Sequence, residues 1–296
     1  HASTLRPQHA SIVDALSGQR LDIFDQCVPI KVVTTYSVQP HHTVSNPTAE
    51  NGENAIHCGC IPLSRLLSGR RHGISNQPSK VVTATGHTVT KVNEVKGLVL
   101  WLLKAHTKRR DAADTGPAAC LLLTAPPAAG KTCLMSQLVM HVLQSKECDM
   151  VPILIKVQEL QRHLLNESNR TIFERSWNWV DAFLQCVHGA GSDLYCMLRQ
   201  ALMARRALVL LDGIDEGGKA RDAIERHVTE VLAPQGHVML VTSRPAGLES
   251  ERFRQHFVRV QLEPLTEEQQ KEVVVKRLGE GEHSELLEYL SNPERV

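Results

Sequence analysis

The sequence has no apolar run near the ~18 residues that would span a membrane as a helix. Its longest apolar stretches, Leu98 to Leu103, Cys120 to Leu123 and Ala207 to Leu211, are short. It has almost no net charge, with 33 Lys and Arg against 32 Asp and Glu for a formal +1. No whole-chain field therefore draws it to nucleic acid or to an acidic membrane. It has no disulfide framework. The 8 cysteines are scattered, and Cys120, Cys133 and Cys186 fall inside apolar patterns, the usage of a reduced, cytoplasmic protein. It shows no secretory leader and no repeat of about 20–50-residue period. What remains, 42% hydrophobic and 22% charged residues over 296 positions, describes a soluble globular chain of one large domain or one domain with appendages. The chain starts at His1 and stops inside a helical pattern, so it reads as a piece of a longer one.

Residues 1 to about 80 give a mixed signal. Ile12 to Phe24 predicts a short amphipathic helix and Val28 to Val38 a strand. Gln39 to Asn54 is polar and Pro-containing, the composition of a loop or disordered linker. His57-Cys58-Gly59-Cys60, with His41 and His42 nearby, is too tightly spaced for a metal site and lacks a second Cys or His pair. From about residue 81 the pattern changes. Val92, Val95, Leu98, Val99, Leu102 and Leu103 recur at helical spacing. Lys104, Lys108, Arg109 and Arg110 follow where cations suit a helix C-terminus, and Asp111 to Pro117 makes a loop.

Strands and helices then alternate. The strands are Cys120 to Thr124, Val151 to Val157, Ala207 to Leu211, His237 to Thr242 and Phe257 to Leu262. The helices between them are Lys131 to Gln144, Ile172 to Val187, Leu194 to Arg205 and Ala220 to Leu232. Aliphatic strands separated by helices predict an α/β fold with a parallel sheet covered on both faces.

The stretch TAPPAAGKTCL, Thr124 to Leu134, has a strand before it and a helix after it. Gly130-Lys131-Thr132 is the end of a phosphate-binding loop: backbone amides at a helix start, a lysine for the outer phosphates and a hydroxyl for Mg²⁺. Ala125 and Ala128 stand where such loops usually carry glycine. At φ > 0 an alanine costs about 1–2 kcal/mol. Pro126 and Pro127 have no amide proton. The donors left for phosphate are Ala128, Ala129, Gly130, Lys131, Thr132 and Cys133.

The stretch ALVLLDGIDEGG ends a buried strand in acids. Asp212 emerges at the C-terminal edge, where open α/β sheets bind ligands, and is placed to hold Mg²⁺ with Thr132. Glu216, with Asp215 next, is the candidate base for an attacking water. VMLVTSRP ends another strand in Thr242, Ser243 and Arg244, where a cation can read a γ-phosphate and stabilise developing charge.

Together, Gly130-Lys131-Thr132, Leu210 to Glu216 and Thr242-Ser243-Arg244-Pro245 resemble a NACHT domain, a branch of the STAND group of P-loop NTPases. Leu262-Glu263-Pro264-Leu265-Thr266 resembles the family's exit into helical and winged-helix regions. Gly86-His87 stands where the group usually has Gly-Arg. The resemblance covers about residues 85 to 290. It implies a five-stranded, mostly parallel sheet of order 5-1-4-3-2. The implied divisions are an N-terminal region over 1–80, an NTPase domain over 81–262 and the start of a helical region over 263–296. It also implies ATP or GTP with Mg²⁺, slow hydrolysis used as a switch, self-association in the ATP state, and effector and sensor domains elsewhere. Two other readings stay open: a degenerate P-loop scaffold and an AAA+ type motor.

Overall fold

The computed structural model describes residues 1–13, 20–23, 32–35, 79–82, 88–92, 97–98, 102, 120–145, 148–247 and 250–278. The chain begins with α1 (Ala2–His9), β1 (Ser11–Val13), β2 (Arg20–Asp22), β3 (Val32–Thr35), β4 (Ser79–Val82) and β5 (Thr88–Val92). It continues through β6 (Cys120–Thr124), α2 (Lys131–Gln144), β7 (Val151–Lys156), α3 (Val157–Leu164), α4 (Arg170–Arg175), α5 (Trp179–His188) and α6 (Asp193–Met203). It ends in β8 (Ala207–Asp212), α7 (Arg221–His227), β9 (Val238–Ser243), α8 (Ser250–Phe253), β10 (Val258–Leu262) and α9 (Glu267–Leu278).

The five aliphatic runs form one parallel sheet in the order β10-β6-β9-β8-β7, which is the expected 5-1-4-3-2. Successive side chains of a strand point to opposite faces, and here both faces are covered. Leu122, Val209, Leu211, Met239 and Val241 pack with Val157, Leu160, Phe183, Leu198 and Ile224. Leu121, Leu123, Leu208, Leu210 and Leu240 pack with Leu134, Leu138 and Val142 of α2 and with Leu98 and Leu102. A sheet buried on both sides explains why these strands read as unbroken apolar runs.

The sheet is longer than the five strands expected. β3 pairs antiparallel with β10, β5 with β3, and β4 with β5, giving eight strands. The predicted strand over Val28 to Val38 is present as Val32–Thr35. Three helix expectations are corrected. Against the helix expected over Ile12 to Phe24, the described residues Ser11–Val13 pair antiparallel with Arg20–Asp22, so strand pairing overrides the helical spacing there. Val92 closes strand β5, leaving Leu98 and Leu102 as the described, buried residues of the helical stripe. The single helix over Ile172 to Val187 is two, because Asn178 Oδ1 accepts the Asp181 N–H at 2.9 Å and starts a new helix there. The His57 to Cys60 cluster, His41, His42, Gly86-His87, the linker over 39–54, the loop over 111–117 and the basic residues at 104–110 lie outside the described residues.

Helix α1 and Ile23 lie along the outside of α2. Leu5 is buried in the cluster under that helix and Ile23 packs with Met140. His9 Nδ1 lies 3.2 Å from Ser136 Oγ. At the β7 side, Val151 N–H bonds Arg206 O at 2.7 Å. The next residue, Pro152, therefore faces away from β8, and its carbonyl meets the His1 ring Nε2 at 2.6 Å.

The start of α5 yields a pH prediction. His227 Nε2 accepts the Trp179 N–H at 2.9 Å, and the two rings stack with centroids 4.2 Å apart. An imidazole nitrogen accepts only when it carries no proton, and a cation is unfavourable at a helix N-terminus. Burial lowers the His227 pKa from 6.5 to about 4. Between those values the unfolded chain binds a proton that the folded chain does not. Stability is therefore insensitive to this group above pH 6.5 and falls as pH drops toward 4. Urea midpoints measured across that window are expected to fall more steeply in the wild type than in His227→Gln.

Candidate functional site

The loop after β6 is built around a lysine. Ala125 N–H bonds Ser243 O at 3.2 Å, extending the β6–β9 pairing past Thr124. Pro126 and Pro127 then face solvent. They cannot donate, but their segment accepts. Lys131 Nζ donates to Ala125 O at 2.9 Å and to Pro126 O at 2.8 Å. Ala128 holds φ 58, the left-handed conformation that glycine adopts freely, so the expected strain is real at Ala128. Ala125 is buried and is not among the positive-φ residues, so it carries none. Gly130, at φ 92, turns the chain into α2, which has no side-chain cap. The positive end of a 14-residue helix is thus turned toward the loop.

The acidic strand end meets this helix start. Thr132 Oγ1 donates to Asp212 Oδ2 at 2.8 Å, joining residues 80 positions apart. Thr242 Oγ1 donates to Asp212 Oδ1 at 2.6 Å, and the same hydroxyl accepts the buried Gly213 N–H at 2.8 Å. Both carboxylate oxygens of Asp212 are held from neighbouring strands and from α2. Gly213 takes φ 76, and a Cβ there would lie 3.1 Å from Glu216 Cδ. The missing side chain is what lets Glu216 fold back over residue 213 beside Asp212.

The remaining charges complete the rim. Asp215 Oδ1 accepts the Arg244 N–H at 3.1 Å, and Asp215 Oδ2 pairs with Arg244 Nε at 3.2 Å. Arg244 Nη2 lies 3.6 Å from Glu216 Oε1. Burial lowers the Lys131 pKa from its usual value. Asp215 opposes this, Arg244 adds to it, and Asp212 and Glu216 also oppose it.

The structure thus brings Gly130, Lys131, Thr132, Asp212, Asp215, Glu216 and Arg244 to one edge of the sheet. Ala128 and Ala129 form the exposed approach to it. The Cys133 side chain packs against the apolar cluster beneath the helix, leaving its backbone as the part that can face a ligand. The expected polar trio splits: Thr242 braces Asp212, Ser243 is fully buried with its hydroxyl on Arg244 O at 3.1 Å, and Arg244 alone faces solvent. Sequence reasoning missed two features. One is the carbonyl pair under Lys131, since carbonyls leave no mark in side-chain identity. The other is the bracing role of Thr242, for which a hydroxyl ending the strand beside the acidic one was the available signal.

The residues suit a Mg²⁺–triphosphate ligand by their donor chemistry. Thr132 and Asp212 set hard oxygens side by side, a lysine stands next to them, and uncapped helix amides open beside both.

Two substitutions check this geometry. Thr242→Val strands the buried Gly213 N–H and is expected to destabilise by about 1–3 kcal/mol, while Thr242→Ser stays near wild type in urea unfolding. Ala128→Val, β-branched at positive φ, is expected to lower stability by roughly 1–2 kcal/mol, and Ala128→Gly to hold or raise it. Equal midpoints for Ala128→Val and wild type would contradict the left-handed turn.

The sequence model of the NACHT domain matches residues 121–280, more than half of the 296-residue chain. No curated protein matches. Among solved structures, domain III of the Thermotoga maritima replication initiation protein DnaA is similar at 18% identity and a TM-score of 0.41, over 64% of this chain and 74% of that one. C. elegans PCH-2 is similar at 15% identity and a TM-score of 0.36, over 59% of this chain and 44% of that one. The phosphate loop, the acidic strand end and the strand between them fall inside the matched residues, and the chain belongs to the NACHT domain family of nucleotide-binding P-loop NTPases.

Proposed function

We propose that this protein is a nucleotide-operated signalling switch, with ATP the preferred ligand over GTP, slow hydrolysis as its timer, and conformation and self-association as its output. One observation carries the reading: the 2.8 Å hydrogen bond from Thr132 to Asp212, which sets a metal-ligand pair beside the phosphate-binding lysine.

The roles follow from position. Backbone N–H groups from Ala128 to Cys133 accommodate the phosphates, and Lys131 exchanges its loop carbonyls for phosphate oxygens. Thr132 and Asp212 would hold Mg²⁺, which when bound neutralises phosphate charge. Glu216, half exposed and folded over Gly213, takes the proton from the attacking water, with Asp215 as the second candidate. Arg244 reads the γ-phosphate and stabilises the charge that develops there. The switch domain spans residues 81–262, residues 263–296 open a helical region, and effector and sensor parts lie outside this sequence. Its setting is cytoplasmic; among the described residues no helix is long and apolar enough to cross a membrane.

The scaffold reading draws on the same loop. Pro126 and Pro127 lack donors and Ala128 is strained at φ 58. A fluorescent ATP analogue separates the two. Under the switch reading, Lys131→Ala weakens binding by about 100-fold, near the loss of one such charge contact. Glu216→Gln keeps binding and slows turnover by roughly 100-fold or more. No binding by the wild type at millimolar analogue and Mg²⁺ would leave the scaffold. Mass measured by light scattering is expected to rise with a non-hydrolysable ATP analogue relative to ADP; equal masses would end the self-association claim.

A further inference from the structure

The NTPase reading leaves two acids, Asp215 and Glu216, competing for the role of base. The geometry separates them. The Asp215 side chain is 8% exposed, whereas that of Glu216 is 48% exposed. Both Asp215 oxygens are committed to one residue: Oδ1 to the Arg244 backbone N–H at 3.1 Å and Oδ2 to Arg244 Nε at 3.2 Å. A carboxylate that grips main chain and side chain of the same arginine fixes the direction in which the guanidinium leaves the strand end. The Arg244 side chain is otherwise 49% exposed, and a long exposed cation of this kind samples many rotamers. Its free end, Nη2, comes to 3.6 Å from Glu216 Oε1.

We propose that Asp215 is the positioning residue of Arg244, aiming its guanidinium at the Glu216 side of the site, and is not a base. Glu216 is left as the acid that meets water. In this arrangement Asp215 acts on turnover only through Arg244. The catalytic part of the inference rests on the NTPase reading; the contact itself does not.

Two measurements on the 296-residue chain test it. The first needs no nucleotide, so it stands apart from the NTPase reading. Hydrogen exchange at the Arg244 Nε–H, followed by NMR, is expected to quicken by about tenfold in the isosteric Asp215→Asn, which removes the anionic partner of that ion pair. Exchange unchanged from wild type would overturn the proposal. The second is a double-mutant cycle on ATP turnover with Asp215→Asn and Arg244→Ala. Each single variant is expected to be slower than wild type, and the double variant no slower than Arg244→Ala alone. A further fall of about 100-fold in the double variant, the loss expected on removing a base, would overturn it. Arg244→Lys, which keeps the charge and lacks the planar fork, is expected to behave as Arg244→Ala does in this cycle.

Discussion

The Asp212 carboxylate holds the site together. It is gripped on one oxygen by Thr132 at the head of α2 and on the other by Thr242 from β9. Those residues come from three separate segments of the chain, so the grip exists only if β6, β9 and β8 lie side by side with their C-terminal ends level. The parallel register delivers that alignment: Thr124 stands beside Ser243, and Leu211 beside Val241. A slip of one residue in either pairing would turn a carboxylate or a hydroxyl into the sheet's apolar interior. The dry packing on both faces therefore does more than stabilise the domain; it sets the rim geometry.

The central fold was readable because its signals are local. A short aliphatic run ending in Asp, Thr or Gly-Lys-Thr marks both a buried strand and the edge at which it surfaces. The order of the strands is not local, and it came from the family resemblance rather than from spacing. The N-terminal region was misread where periodicity was the sole guide: Ile12 to Phe24 has helical spacing, yet Ser11–Val13 pairs with Arg20–Asp22. Of the three further strands in the sheet, β3 was legible in its β-branched residues, while β4 and β5 had no marker to give them away. At the site, residue types were legible and their partnerships were not. Nothing in the letters says that Asp215 holds Arg244 while Glu216 lies over Gly213.

The unusual loop divides its backbone between accepting and donating halves. Prolines remove two donors, but the carbonyls of Ala125 and Pro126 cradle the Lys131 ammonium. The lysine is thereby held against the stiff half of the loop, while the other half, from Ala128 onward, keeps its N–H groups. Ala128 accepts a left-handed turn that glycine would make without strain. The departures from a glycine-rich loop are thus concentrated where backbone donors are least required.

The outer side of β7 bears on whether the sheet can be extended there. Pro152 offers a visiting strand no hydrogen to receive, its carbonyl is already met by His1, and Lys156 further along is a charged residue on the same outward register. These are the devices by which natural sheets refuse uninvited neighbours. Extension of the sheet by an added strand is therefore disfavoured on that flank.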